Sequence, residues 1–223
     1  MSTWKKGNVV PVLGPLGNGF TLSPEPGARS PEKKILIGGG VGIPPLFHLA
    51  ETWLKKKIVK NQNIRVFLGA RNKSLLLCEK EFKKLGVNCS VATDDGSKGK
   101  KGFVTSLLTA LLRAPGSELR ARIYSCGPTP MLKAITLVAA EFGVPNEVSV
   151  EVPMACGFGA CLGCAIKVKS RATCATVGSA KLPARLHPEE PRPSGDEGSK
   201  TDFRFAIACT EGPVFQGSEI VWD

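Results

Sequence analysis

A chain of 223 residues with 42% hydrophobic and 22% charged side chains has room for one large or two small soluble domains. No apolar run approaches the roughly 18 residues that cross a bilayer, and the run at 9–13 is too short for a secretory signal, so the expected compartment is the cytosol. The net charge of +11 raises nucleic acid as a partner, yet the basic residues are scattered and the aromatic 6% is not interleaved with them. That pattern reads better as a basic surface that attracts anionic nucleotides or an acidic partner.

Taken in order, residues 9–13 (VVPVL) read as a strand running into the turn-rich Gly14-Pro-Leu-Gly-Asn-Gly-Phe20, and 23–31, rich in proline, as a linker. A short apolar strand at 34–37 ends in three glycines, and a helix follows over 43–57 with Leu46, Leu49, Ala50, Trp53 and Leu54 on one face. Further strands are expected at 64–68, 87–93, 122–126 and 147–152, with helices at 76–85, 104–112 and from Pro128 to about Phe142. Strands alternating with helices imply an α/β fold with a doubly wound parallel sheet. Past residue 152 the texture changes to glycine and cysteine, with short strands expected at 165–168 and 203–209 and order again at 219–222. Between them, 170–202 holds four prolines, five basic and five acidic residues and no aromatic one, and reads as a mobile insertion. The expected division is thus 1–31, a nucleotide-binding domain over 32–150, and a small cysteine-rich domain over 151–223.

Eight cysteines are present, and a reducing compartment argues against a disulfide framework. Cys78, Cys89 and Cys126 stand alone, as small buried residues do, whereas Cys156, Cys161 and Cys164 crowd into nine residues. Cys-x4-Cys-x2-Cys with a distant fourth cysteine is the plant-type [2Fe–2S] spacing. Gly157, Gly159 and Gly163 let such a loop fold tightly and turn its amides toward sulfur. Zinc favours paired Cys-x2-Cys units or added histidines, and the only histidines, His48 and His187, lie far away in sequence. The fourth ligand is Cys174 or Cys209. Cys174 lies in the polar insertion, and Cys209 ends an apolar strand, which favours Cys209 because a ligand needs a fixed backbone.

Two further motifs bear on nucleotide chemistry. Gly38-Gly39-Gly40-Val41-Gly42 joins a strand to a helix, where backbone amides can approach a pyrophosphate. Pro45 replaces the third glycine of the usual fingerprint, and glycine turns also occur in sheets that bind nothing. Cys126-Gly127-Pro128 closes another strand. Cys126 there is either a nicotinamide neighbour or a buried thiol before a helix. Gly69-Ala-Arg-Asn-Lys73 offers no acidic group for a ribose hydroxyl, and Arg71 or Lys73 tolerates a 2′-phosphate. Asp94 and Asp95 read as turn formers.

In series, Gly14–Phe20, Gly38-Gly-Gly-Val-Gly-Ile-Pro-Pro-Leu46, Tyr124-Ser-Cys-Gly-Pro-Thr-Pro-Met-Leu132, Met154-Ala-Cys-Gly-Phe-Gly-Ala-Cys-Leu-Gly-Cys164 and Cys209-Thr-Glu-Gly-Pro-Val-Phe215 closely resemble the electron-transfer subunits of NAD-dependent, class 1B dihydroorotate dehydrogenases, in the ferredoxin-reductase superfamily. The resemblance implies electron transfer from an FMN-containing catalytic subunit, through a [2Fe–2S] cluster and FAD, to NAD in pyrimidine biosynthesis, within a heterotetramer of two plus two subunits. It places Gly38, Gly39, Gly40, Val41 and Gly42 at the dinucleotide phosphates, Cys126, Gly127 and Pro128 beside nicotinamide and flavin, and Cys156, Cys161, Cys164 and Cys209 on the cluster.

Two departures stand beside it. Family members carry an FAD-binding β-barrel with an Arg-x-x-Ser-type motif, whereas this sequence starts at what reads as the barrel's last strand, so weak FAD binding is expected. The last two cluster cysteines are usually a short hairpin apart, and here 44 residues separate Cys164 from Cys209, a length that loop entropy tolerates. A second resemblance, through Gly-Pro-Leu-Gly and Gly-Gly-Gly-Val-Gly, is to the small subunit of an NADH-dependent ferredoxin:NADP or sulfide dehydrogenase complex. A third reading is an iron–sulfur protein without flavin chemistry.

Overall fold

The structure is a computed structural model that describes residues 5–22, 32–114, 120–170 and 203–222. Its spine is a seven-stranded sheet. Strands β1 (Lys33–Gly39), β2 (Ile64–Ala70), β3 (Asn88–Thr93), β4 (Lys100–Lys101), β5 (Ala121–Cys126) and β6 (Asn146–Ser149) run parallel in the order β4-β3-β2-β1-β5-β6. The doubly wound parallel sheet expected from the alternating pattern is therefore present. The order in which strands are added reverses at the β1/β5 junction, the topological switch point where such sheets open a crevice.

Residue alternation along the central strands fixes which helix covers which face. Leu36, Val66 and Tyr124 point to one face and pack under α1 (Ile43–Lys55) and α2 (Glu79–Lys84) with Leu46, Leu49, Trp53 and Phe82. Ile35, Ile37, Phe67 and Ile123 point to the other, under α3 (Thr105–Leu112) and α4 (Thr129–Glu141) with Leu108, Ile135 and Ala139. Because both faces are covered, β1 reads as a continuous apolar run and not an alternating one.

The cysteine-rich segment ends in β7 (Ala165–Lys169), which pairs antiparallel with β8 (Phe203–Ile207). A further strand, β9 (Val214–Gln216), adds antiparallel to β6 and so extends the main sheet. Leu132 of α4, Val148 of β6, Val168, Ala206, Phe215, Ile220 and the thiols of Cys164 and Cys209 form one buried core. The hairpin thus leans on the same helix that covers the sheet.

Several expected elements differ. Residues 9–13 form no strand: Val9 and Val12 are 97% and 85% exposed, and no described strand pairs with them. The helix expected over 76–85 is only α2. Asn72 caps a 3₁₀ turn at Lys73–Leu75 through its Oδ1, Leu76 is extended, and Cys78 takes a left-handed φ of +53° that starts the helix late. The strand expected to reach 152 stops at Ser149, and 219–222 supplies a bridge from Ile220 to Val168 after a 3₁₀ turn at Gly217–Glu219. The 23–31 linker lies outside the described residues, as does the expected insertion beyond Ser170. Among the described residues no helix is long and apolar enough to cross a membrane.

Leu132 is fully buried where α4 meets the hairpin. Leu132→Ala is expected to cost about 2–5 kcal/mol in a urea unfolding titration, the range for emptying a buried leucine site.

Candidate functional site

The loop 154–164 folds back on itself through three left-handed residues, Gly157 (φ +79°), Gly159 (φ +87°) and Leu162 (φ +56°). These turns aim backbone amides at sulfur. The Cys161 amide donates to the Cys156 Sγ at 3.5 Å, and with the amides of Phe158 and Ala160 it lowers the Cys156 thiol to about 6. The hairpin brings the second pair together: the Cys209 amide donates to the Cys164 Sγ at 3.4 Å, across 45 positions of sequence. Burial, then the Cys164 side chain, pushes the Cys209 thiol up. Cys164 and Cys209 are buried, Cys156 is half-buried and Cys161 exposed.

The four thiols are thus arranged two and two. Among the described residues no group of three or more His, Cys, Asp or Glu side chains is drawn together closely enough to hold a metal ion. Two irons bridged by sulfide divide four thiolates in pairs, and amides aimed at sulfur suit that charge. The donor set fits a [2Fe–2S] cluster. Cys174 lies outside the described residues.

The residues 14–20 motif packs directly on the terminal one. Asn18 forms a bridge with Pro213 and donates from Nδ2 to the Glu211 carbonyl at 2.8 Å, and its amide donates to Gly212. The Thr21 amide donates to Oε2 of buried Glu147 at 2.9 Å, and Phe20 meets the edge of Tyr124 at 5.8 Å. Two motifs at opposite ends of the sequence therefore brace the turn that holds Cys209.

At the carboxyl edge of the sheet, a cleft of about 570 Å³ opens on the α3/α4 side. Gly39, Gly40 and Pro128 form its wall at the switch point, and Arg71, Leu75, Asp94 and Phe103 form its far end. The other expected phosphate residues play different parts. A Cβ on Gly38 would press on Ile43 and Leu46, one on Gly42 would collide with the Cys126 carbonyl and the Gly127 amide, and Val41 is exposed. Gly127 (φ +153°) backs onto Gly39. Cys126 is half-buried beside Ser149, its register partner across β5 and β6, and burial raises its thiol. Cys89, raised to about 11 by burial, and Cys78, also raised by burial, pack against the α1/α2 core as isolated cysteines do.

Residues 36–136 match the oxidoreductase NAD-binding domain family. Over all of this chain, 36% of residues are identical to the dihydroorotate dehydrogenase B (NAD(+)) electron transfer subunit of Desulforamulus reducens, of which the match covers 70%. A protein of the same name from Fusobacterium nucleatum is 40% identical over 77% of this chain and 61% of its own. The chain belongs to this family. A solved chain of the NADH-dependent reduced ferredoxin-NADP oxidoreductase superposes on the whole of it with a TM-score of 0.68 at 32% identity, over 64% of that chain. The family is one of oxidoreductase subunits with a ferredoxin-reductase-like fold, and that fold with its NAD-binding domain supports NAD and FAD as the cofactors. The family's name for itself, electron transfer subunit, implies a catalytic partner subunit.

Asp94, read from the sequence as a turn former, also lines the cleft, because the end of β3 reaches the same edge as that of β2. A register count could have found it, since β3 lies beside β2. At the switch point, Gly42→Ala is expected to destabilise the fold by about 3 kcal/mol, since the new methyl meets immovable backbone. Gly40→Ala, with open space around it, is expected to cost only about 1 kcal/mol for its left-handed φ of +54°. Thermal or urea melts of the two variants separate these costs.

Proposed function

We propose that this chain accepts electrons from a dihydroorotate-oxidising, FMN-containing catalytic subunit and delivers them to NAD, in the cytosol and in a heterotetramer of two plus two subunits. The observation that carries the reading is the thiol arrangement: Cys156 with Cys161 and Cys164 with Cys209, fed by backbone amides. When bound, a [2Fe–2S] cluster moves single electrons and FAD converts them to the two-electron currency of NAD.

The chain's own residues hold the site in order. Amides of Cys161, Phe158 and Ala160 favour the thiolate of Cys156. Residues 151–223 serve as the cluster unit, and residues 32–150 as the dinucleotide-binding unit. In the latter, Gly38 to Gly42 shape the turn against which the phosphates rest, with Gly39 and Gly40 on the cleft wall. Gly42 admits the β1 turn against β5, and Cys126, Gly127 and Pro128 at that junction would lie beside a bound nicotinamide. Exposed Met154, Phe158 and Leu162 rim the cysteine loop and form the face for the catalytic subunit. FAD is assigned no residue of this chain.

A second reading follows from the ferredoxin-NADP oxidoreductase neighbour: the same thiols and cleft in a complex that exchanges electrons with ferredoxin. Reconstitution with each donor separates the two. NADH formation driven by dihydroorotate and a catalytic subunit supports the first, and formation driven only by reduced ferredoxin supports the second.

The ligand set has its own test. Cys209→Ser is expected to abolish the visible and electron-paramagnetic signals of the reconstituted cluster, while Cys174→Ser retains them. Equal loss in both variants, or a colourless wild-type chain after anaerobic reconstitution, would overturn the assignment.

A further inference from the structure

We infer that Asn18 is a positioning residue for Cys209: its side-chain amide holds the carbonyls of the turn after that cysteine and so keeps Cys209 beside Cys164. The inference rests on the cluster reading of the four thiols and adds to it a residue that is not itself a ligand.

Two sets of bonds hold this turn. From within, the amides of Thr210 and Glu211 both donate to the Ile207 carbonyl, at 3.0 and 2.8 Å, and Oε1 of Glu211 accepts from the Ile207 amide at 2.9 Å. Those bonds use the turn's amides. Its carbonyls at Thr210, Glu211 and Gly212 are met from outside, all three by Asn18. The Asn18 Nδ2 donates to the Glu211 carbonyl at 2.8 Å and to that of Thr210 at 3.4 Å, and the Asn18 backbone amide donates to that of Gly212. The Val214 amide returns a bond to the Asn18 carbonyl at 3.4 Å. A carbonyl only accepts, so a side chain that meets two of them must present N–H groups. An aspartate has the same shape and, ionised, no proton to give.

The neighbours of Asn18 touch both thiol-bearing loops. Gly17 (φ +69°) passes so close to the carbonyls of Cys209 and Gly212 that a Cβ there would strike them. Leu16 lies against Gly157 in the first loop, and Thr210 of the second lies against Gly159 of the first. Segment 16–18 is thus set against the loops of Cys156 and Cys209 at once. On the other side, the Ala208 amide donates to the Cys164 carbonyl at 3.1 Å and the Cys209 amide to the Cys164 Sγ at 3.4 Å. Residues 208–212 are therefore gripped by Cys164 at one end and by Asn18 at the other. An amide directed at a ligand sulfur stabilises the extra negative charge of a reduced cluster and so raises its potential. Without the Asn18 grip the Cys209 amide is free to drift from the Cys164 sulfur. Iron is then held less firmly and reduced less readily.

Anaerobic reconstitution of the full chain, followed by iron release to a ferrous chelator and by a redox titration of the visible spectrum, tests this in wild type, Asn18→Asp, Asn18→Ala and Asn8→Ala. Asn8 is the control: it lies in the same N-terminal stretch, and its Oδ1 accepts from the Lys5 amide at 2.7 Å. Asn18→Asp and Asn18→Ala are expected to release iron about fivefold faster than wild type, the worth of one hydrogen bond. Both are expected to reduce at a lower potential, Asn18→Ala without any added charge, and Asn8→Ala is expected to match wild type. Asn18 variants that keep the folded sheet by circular dichroism and take up no cluster support the same role. Release within about twofold of wild type in Asn18→Asp, or an unmoved potential in both Asn18 variants, overturns it and leaves the ligand assignment standing. Loss of the folded sheet in both Asn18 variants also overturns it, since Asn18 then serves the fold and not the ligand. A wild type that stays colourless overturns the cluster reading itself, and this inference with it.

Discussion

The contact between two backbones at the switch point governs the rest of the molecule. Gly42, at the start of α1, lies against the carbonyl of Cys126 and the amide of Gly127, where no side chain could fit. That approach sets how closely the turn after β1 can sit against the turn after β5. It therefore sets the wall formed by Gly39, Gly40 and Pro128 at the mouth of the cleft. The hydrophobic layers on either side hold the strands. This contact decides where the strands leave their ligand edge.

Helix α4 carries that geometry onward. Its N-terminal turn follows Pro128 at the cleft, its buried Ile135 and Ala139 cover the sheet, and its Leu132 enters the core that contains Cys164 and Cys209. One helix thus touches both the cleft and the buried thiol pair. Strand β9 adds a second tie, joining the segment after Cys209 to β6. The thiol-bearing hairpin is tied to the sheet at both places.

Much of this was legible in the sequence because buried parallel strands and amphipathic helices write strong patterns. The apolar run of β1, the Leu46–Trp53 face of α1 and the cysteine spacing each report on local geometry alone. What escaped depends on partners distant in the chain. Residues 9–13 have strand composition, but a strand exists only with a neighbour to complete its hydrogen bonds. The three residues of β9 carry no periodicity, and β6 makes them a strand. Leu76 and Leu77 look helical until the left-handed Cys78 is known. Asp94 becomes a cleft residue only through the parallel register of β2 with β3. Cys174 lies outside the described residues, so the preference for Cys209 rests on the apolar strand before it and on its amide contact with the Cys164 sulfur.

The two thiol pairs differ in a way that matters for polarity. Cys164 and Cys209 back onto an oily core under α4, whereas Cys156 and Cys161 face outward, with amides pointed at the Cys156 sulfur. Extra negative charge is better tolerated where water and amide dipoles reach it than where it is walled in by leucine and valine. The site therefore has a wet side and a dry side.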